Sequence, residues 1–231
     1  MAVYRNTRAR LEVDLKSIQE AMRYHGSYEV AAAMTAAREK VKRSDEMIKV
    51  IQECFECTGN LADIANAISN QQKAVHLTPE DHASMPGQLN NLGNAFQNRF
   101  ERTGDLADIA DALSNQQKAV HLTPEGHASM PLQLNNLGIA FRNLFECTGD
   151  LTDIADSISY LQKAVQLTPE GHANMPILLN NLGIAFQNRF ERTGDLADIA
   201  DAISNQQKAV HLTPEGHVSM PDWLINLGNA L

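Results

Sequence analysis

Apolar residues recur along this chain at helical spacing, and the spacing itself recurs. Leu89, Leu92, Phe96 and Phe100 fall on one stripe of a first helix. Gly93 lies on that stripe, where the missing side chain permits close helix approach and so outweighs the roughly 1 kcal/mol that a mid-helix glycine costs. Thr103-Gly104 supplies the stop, with glycine suited to the left-handed residue beyond a helix end. Asp105 follows as an N-cap candidate. Asp108 and Asp111 sit with it near the positive end of a second helix. Leu106, Ile109, Ala110, Leu113 and Val120 are the expected buried stripe of that helix, which Thr123-Pro124-Glu125-Gly126 ends. Met130-Pro131 marks the next start.

The whole pattern repeats. Pro86, Pro131, Pro176 and Pro221 keep one spacing, and so do Phe55, Phe100, Phe145 and Phe190. The stretches 96–127 and 186–217 differ only at Leu113 against Ile203, which points to recent internal duplication. Each unit is predicted to be a helical hairpin that cannot bury its own apolar stripe, so neighbours must stack. The expected fold is all-α: a right-handed superhelical solenoid of antiparallel helical hairpins. Its expected parts are an N-terminal helical cap over 1–43 and a degenerate first repeat over 44–86. Full repeats follow over 87–131, 132–176 and 177–221, then a truncated first helix over 222–231.

In the cap, Leu11, Leu15, Ile18 and Met22 suggest one helix, broken at His25-Gly26-Ser27. A second helical run from about Tyr28 would continue towards Cys57. The chain stopping within a first helix suggests a fragment, a truncated product or self-association through an uncapped edge.

These residues resemble tetratricopeptide repeats. Leu89, Leu92, Gly93 and Phe96 match the family's first-helix pattern, and Ala112, Ala119 and Pro124 its second. The 177–221 unit repeats the set, while the 132–176 unit has Ser157 in place of the first alanine. The family's usual second-helix aromatic is Gln116, Leu161 or Gln206 here. The unit is also longer than the family's, and resembles the long-form arrays of fungal multidomain proteins with a caspase-like peptidase (CHAT) domain after the repeats. The resemblance implies a protein- or peptide-binding scaffold, with first helices lining a concave groove. It leaves open a regulatory arm of a larger peptidase, or a structural spacer that self-associates.

On the flank expected to face that groove stand Asn90, Asn94 and Gln97, then Asn135 and Arg142, then Asn180 and Gln187. Amide side chains both donate to and accept from a peptide backbone without demanding a charge. Asn91, Asn136, Asn181 and Asn226 form a second row, nearer the helix–helix contact, where bonding between neighbouring helices is the plainer role.

Charge narrows the partner. The net charge is −9, yet residues 1–50 carry ten Lys/Arg against seven Asp/Glu. The excess of acid therefore lies wholly in the repeats, which favours basic partners and disfavours nucleic acid. Three cysteines, Cys54, Cys57 and Cys147, do not make a disulfide framework. The N-terminus has no apolar signal core, and no apolar stretch approaches a membrane span. A cytoplasmic setting is the expectation.

Candidate chemistry is thin. Cys54 and Cys57 are half a metal site. His82, His127, His172 and His217 recur once per unit, but equivalent positions lie at least a helix-packing distance apart, about 8–10 Å, so they cannot share one ion. The Asp105, Asp108 and Asp111 set is explained by placement in a first helical turn. No nucleophile elbow or phosphate loop occurs. The expectation is a binding protein, not an enzyme, with no metal and no cofactor.

Overall fold

The computed structural model describes residues 61–231. Contacts divide the chain into two compact units, 1–63 and 64–231, and the account below concerns the second. The expected 1–43 cap, Cys54 and Cys57 lie outside the described residues.

Eight helices and no strand occur among the described residues. A helix over 61–77 (α1) is followed by α2 (Met85–Thr103) and α3 (Leu106–Leu122). Then come α4 (Met130–Thr148), α5 (Leu151–Leu167), α6 (Met175–Thr193), α7 (Leu196–Leu212) and α8 (Met220–Ala230). The hairpins α2–α3, α4–α5 and α6–α7 pack tightly within themselves and stack in chain order, forming an all-α helical-repeat solenoid.

Local chemistry explains each boundary. Gly104, Gly149 and Gly194 adopt φ of 68°, 68° and 72°, and their N–H groups bond the carbonyls of Phe100, Phe145 and Phe190. A residue with a Cβ is strained in that region, so glycine ends the first helix of every unit. One residue later Asp105, Asp150 and Asp195 cap the second helices, each carboxylate accepting from the backbone N–H two residues on. That bond from Thr152 holds the Asp150 carboxyl below its ordinary pKa. The first helices begin at Met85, Met130, Met175 and Met220, one residue ahead of each proline rather than at it. Proline at the second position loses no bond there, because first-turn N–H groups have no intrahelical partner.

The second-helix stripe needs one correction. Leu106 is 53% exposed and Ala110 lies on the surface, while Ile109, Ala112 and Ala119 are fully buried. At 3.6 residues per turn, positions 109, 112, 113, 116 and 119 share a face and 110 falls outside it, while Leu106 stands at the first position of the helix. Gln116 thereby enters the core.

The cores run between units. Ile68, Leu92, Phe96, Phe100, Ile109, Leu137 and Phe141 form one cluster that joins α1 to the two hairpins after it. Phe145, Ile154, Ile158, Leu182 and Phe186 form the next. No unit owns a complete core, which is the physical reason for stacking.

The helix-crossing glycines behave as the stripe predicts. A Cβ on Gly93 would stand 2.6 Å from Gln116 Cγ and 3.1 Å from the Ala112 carbonyl. On Gly138 it would stand 2.7 Å from Leu161 Cγ, and on Gly183 2.6 Å from Gln206 Cγ.

Candidate functional site

The backbones of successive first helices approach one another along the stack (α2 to α4, α4 to α6, α6 to α8) more closely than those of successive second helices do. Stacked hairpins that meet more closely through one set of helices curve towards that set. The first helices therefore line the inner face.

The two asparagine rows of that face turn out to be one structure. Asn136 Nδ2 donates to Asn90 Oδ1 at 3.1 Å, Asn181 to Asn135 at 2.9 Å, and Asn226 to Asn180 at 3.0 Å. Each rung ties a first helix to the next. Asn90, Asn135 and Asn180 are only 8%, 3% and 2% exposed. The expectation that these three present themselves to a ligand is revised accordingly, because their carbonyl oxygens are engaged and little of each side chain is left to touch. A buried amide without a partner costs about 1–3 kcal/mol, which is why the acceptors turn to the neighbouring helix.

The remaining candidates differ from unit to unit. Asn94 Oδ1 and Gln97 Oε1 both accept from Gln116 Nε2, at 2.9 and 3.3 Å. Asn94 stays partly exposed, while Gln97 is buried. Gln187 is partly exposed and donates to Glu191 at 3.2 Å. Arg142 occupies the corresponding position in the middle unit. Its side chain is 16% exposed and lies 3.5 Å from Glu146. Burial pushes its guanidinium pKa down, and the Glu146 and Glu101 carboxylates oppose that shift. Asn188 reaches across the unit boundary and donates to Glu146 at 3.1 Å. Glu101, Glu146 and Glu191 recur once per first helix and are all exposed. The inner face thus carries an acidic row with one mostly buried arginine in it.

Ion pairs the sequence did not announce lock two of the hairpins. Arg99 donates to Asp108 through Nε and Nη2, and Arg189 donates to Asp198 likewise at 2.8 and 2.5 Å. Both aspartates are buried, and the hydrogen bond that each accepts raises the pKa of its arginine. Each guanidinium also covers a phenylalanine ring, Phe96 at 5.4 Å and Phe186 at 5.5 Å. The first-turn reading of Asp108 was therefore incomplete. The middle unit has Leu144 in place of the arginine, Tyr160 stacked on Phe141 at 5.5 Å, and Thr148 donating to Asp153.

The recurrent histidines are turn residues. His82, His127, His172 and His217 each accept through Nδ1 from the backbone N–H two residues on, at 3.1–3.2 Å. Among the described residues, no helix is long and apolar enough to cross a membrane.

No protein-family model and no curated protein sequence matches the chain. In fold the chain is similar to the crystal structure of BtubC (BKLC) from P. vanneervenii, with a TM-score of 0.56. The match covers 98% of this chain and 82% of that one at 14% identity, so the likeness concerns the helical-repeat fold alone.

Proposed function

We propose that this chain is a tetratricopeptide-like interaction module whose inner face holds an extended, basic segment of another protein. The observation that supports this reading is the contact pattern of the first helices, each of which carries an exposed glutamate, Glu101, Glu146 or Glu191, at the equivalent position. Asn94, Arg142 and Gln187 lie on the same helices and remain partly accessible to main-chain groups. The asparagine rungs beneath them hold successive first helices in register. Preorganisation of this kind lowers the entropy lost on binding. An acidic row favours approach of lysine- or arginine-bearing segments and repels phosphate backbones. The role assigned to the chain is recognition rather than catalysis.

The test is selection of a random short-peptide library on the purified chain, with the Glu101→Gln/Glu146→Gln/Glu191→Gln variant as the comparison target. These side chains are exposed, so the variant should keep its helicity. Lysine- or arginine-bearing sequences should be enriched on the native chain and held at least about tenfold more weakly by the variant. Equal retention by both would overturn the assignment of the inner face.

A further inference from the structure

The loops that join successive units form an edge of the stack separate from the acidic row, and three equivalent hollows open along it. Their volumes are about 410, 280 and 420 Å³ in chain order. Each lies between two consecutive copies of the Thr-Pro to Met-Pro loop. The second is walled by Leu132 and Leu167, and the third by Ile177 and Leu212; these four aliphatics are 42–47% exposed. No lysine or arginine lines any of the three. Glu125, Glu170 and Glu215 stand exposed on the loops that frame them, and Asp222 is exposed beside the third.

Two lining positions vary from hollow to hollow, and the first hollow has Gly87 where the others have Leu132 and Ile177. Gln133 lines the first hollow, Leu178 the second and Trp223 the third. Gln133 is tied down: Oε1 accepts from the Thr123 hydroxyl at 2.5 Å and Nε2 donates to Ser129 at 3.3 Å. Trp223 is 9% exposed, and its indole N–H has no acceptor. The second hollow stays open although α7 follows the helix that lines it, so a following helix does not fill this place in the repeat.

We propose that the hollow lined by Trp223 seats an aliphatic side chain of an extended peptide that carries lysine or arginine beside it. An aromatic wall with two half-exposed aliphatics takes an apolar side chain out of water. The uncompensated glutamates of the rim select a basic neighbour. This is a second docking surface, and it does not depend on the inner-face assignment.

Trp223 is the chain's single tryptophan, so its emission reports on this hollow directly. The probe is acetyl-Lys-Leu-Lys-Leu-Lys-amide, compared with the same peptide carrying serine for leucine and with one carrying glutamate for lysine. The leucine–lysine peptide should change Trp223 emission saturably, and both comparison peptides should act at least about tenfold more weakly. The Ile177→Ser/Leu212→Ser variant should lose the response to a similar degree, while the inner-face triple glutamine variant should keep it. The proposal is overturned by a response that fails to saturate, by an equal response to the serine peptide, or by a response that the triple variant loses and the serine variant keeps. The comparison peptides act on the unaltered chain, so the result stands even if a variant misfolds.

Discussion

The units 87–131 and 177–221 place the same glutamine at the same helix crossing, yet the two amide nitrogens have opposite fates. Gln116 directs its Nε2 to Asn94 and Gln97, while its Oε1 has no partner. Gln206, equally buried, has neither its nitrogen nor its oxygen bonded. The cause lies on the facing helix, where Asn94 has become Ile184. The middle unit has made both changes, with Ile139 facing Leu161. The three units thus show a matched polar pair, a matched apolar pair and a mismatch. A local motif shared almost residue for residue does not guarantee a shared environment, because the partner sits a helix away.

The ion pairs provide the largest test of how far unit-to-unit differences matter. Arg99→Ala leaves Asp108 as a buried carboxylate without its counter-charge. Because the arginine side chain itself is 31% exposed, the expected loss is about 2–3 kcal/mol, below the full cost of breaking a buried pair. Asp153→Ala in the middle unit, where a threonine hydroxyl replaces the arginine, should cost clearly less. Urea midpoints of the two variants decide the matter, and equal losses would sink the distinction.

The glycines sharpen it further. Gly138→Ala drives a Cβ into Leu161, and the expected destabilisation is about 2 kcal/mol. Gly228, one unit on from Gly183, has nothing within 4 Å of the same added atom. Gly228→Ala should therefore be neutral or slightly stabilising, by up to about 1 kcal/mol from helix propensity. Thermal melts of both variants report the difference.

A third pair reads the asparagine rungs. Asn181→Ala removes the donor to the buried Asn135 oxygen, at an expected cost of about 1–2 kcal/mol. Asn98→Ala, on an exposed first-helix position, should change stability by less than about 0.5 kcal/mol. Hydrogen exchange of α4 and α6 amides shows whether the loss is localised at that rung.

The smallest effect is a gain. Gln206→Leu copies the middle unit's solution and should stabilise by about 1 kcal/mol, because an unbonded buried amide disappears. Gln116→Leu should do the reverse, since it strands the Asn94 and Gln97 acceptors. A shared sign for the two substitutions would show that the facing residue does not control the outcome.

Much of the fold was legible without coordinates. The glycine stops, aspartate caps and proline starts act within a few residues of themselves, so local spacing determined the hairpins α2–α3, α4–α5 and α6–α7. The apolar stripe also located the close helix crossings at Gly93, Gly138 and Gly183. Which amides are open and which are engaged was decided only by the stack. Asn90 and Asn136 are 46 residues apart, and a sequence period shows that both recur without showing that one donates to the other. The Arg99–Asp108 pair and the hollow beside Trp223 have the same origin, since each is assembled across a turn or between loops of neighbouring units. Bonds along one helix follow from spacing, whereas burial and partnership depend on the distance between helices, and that distance exists only once the units have packed.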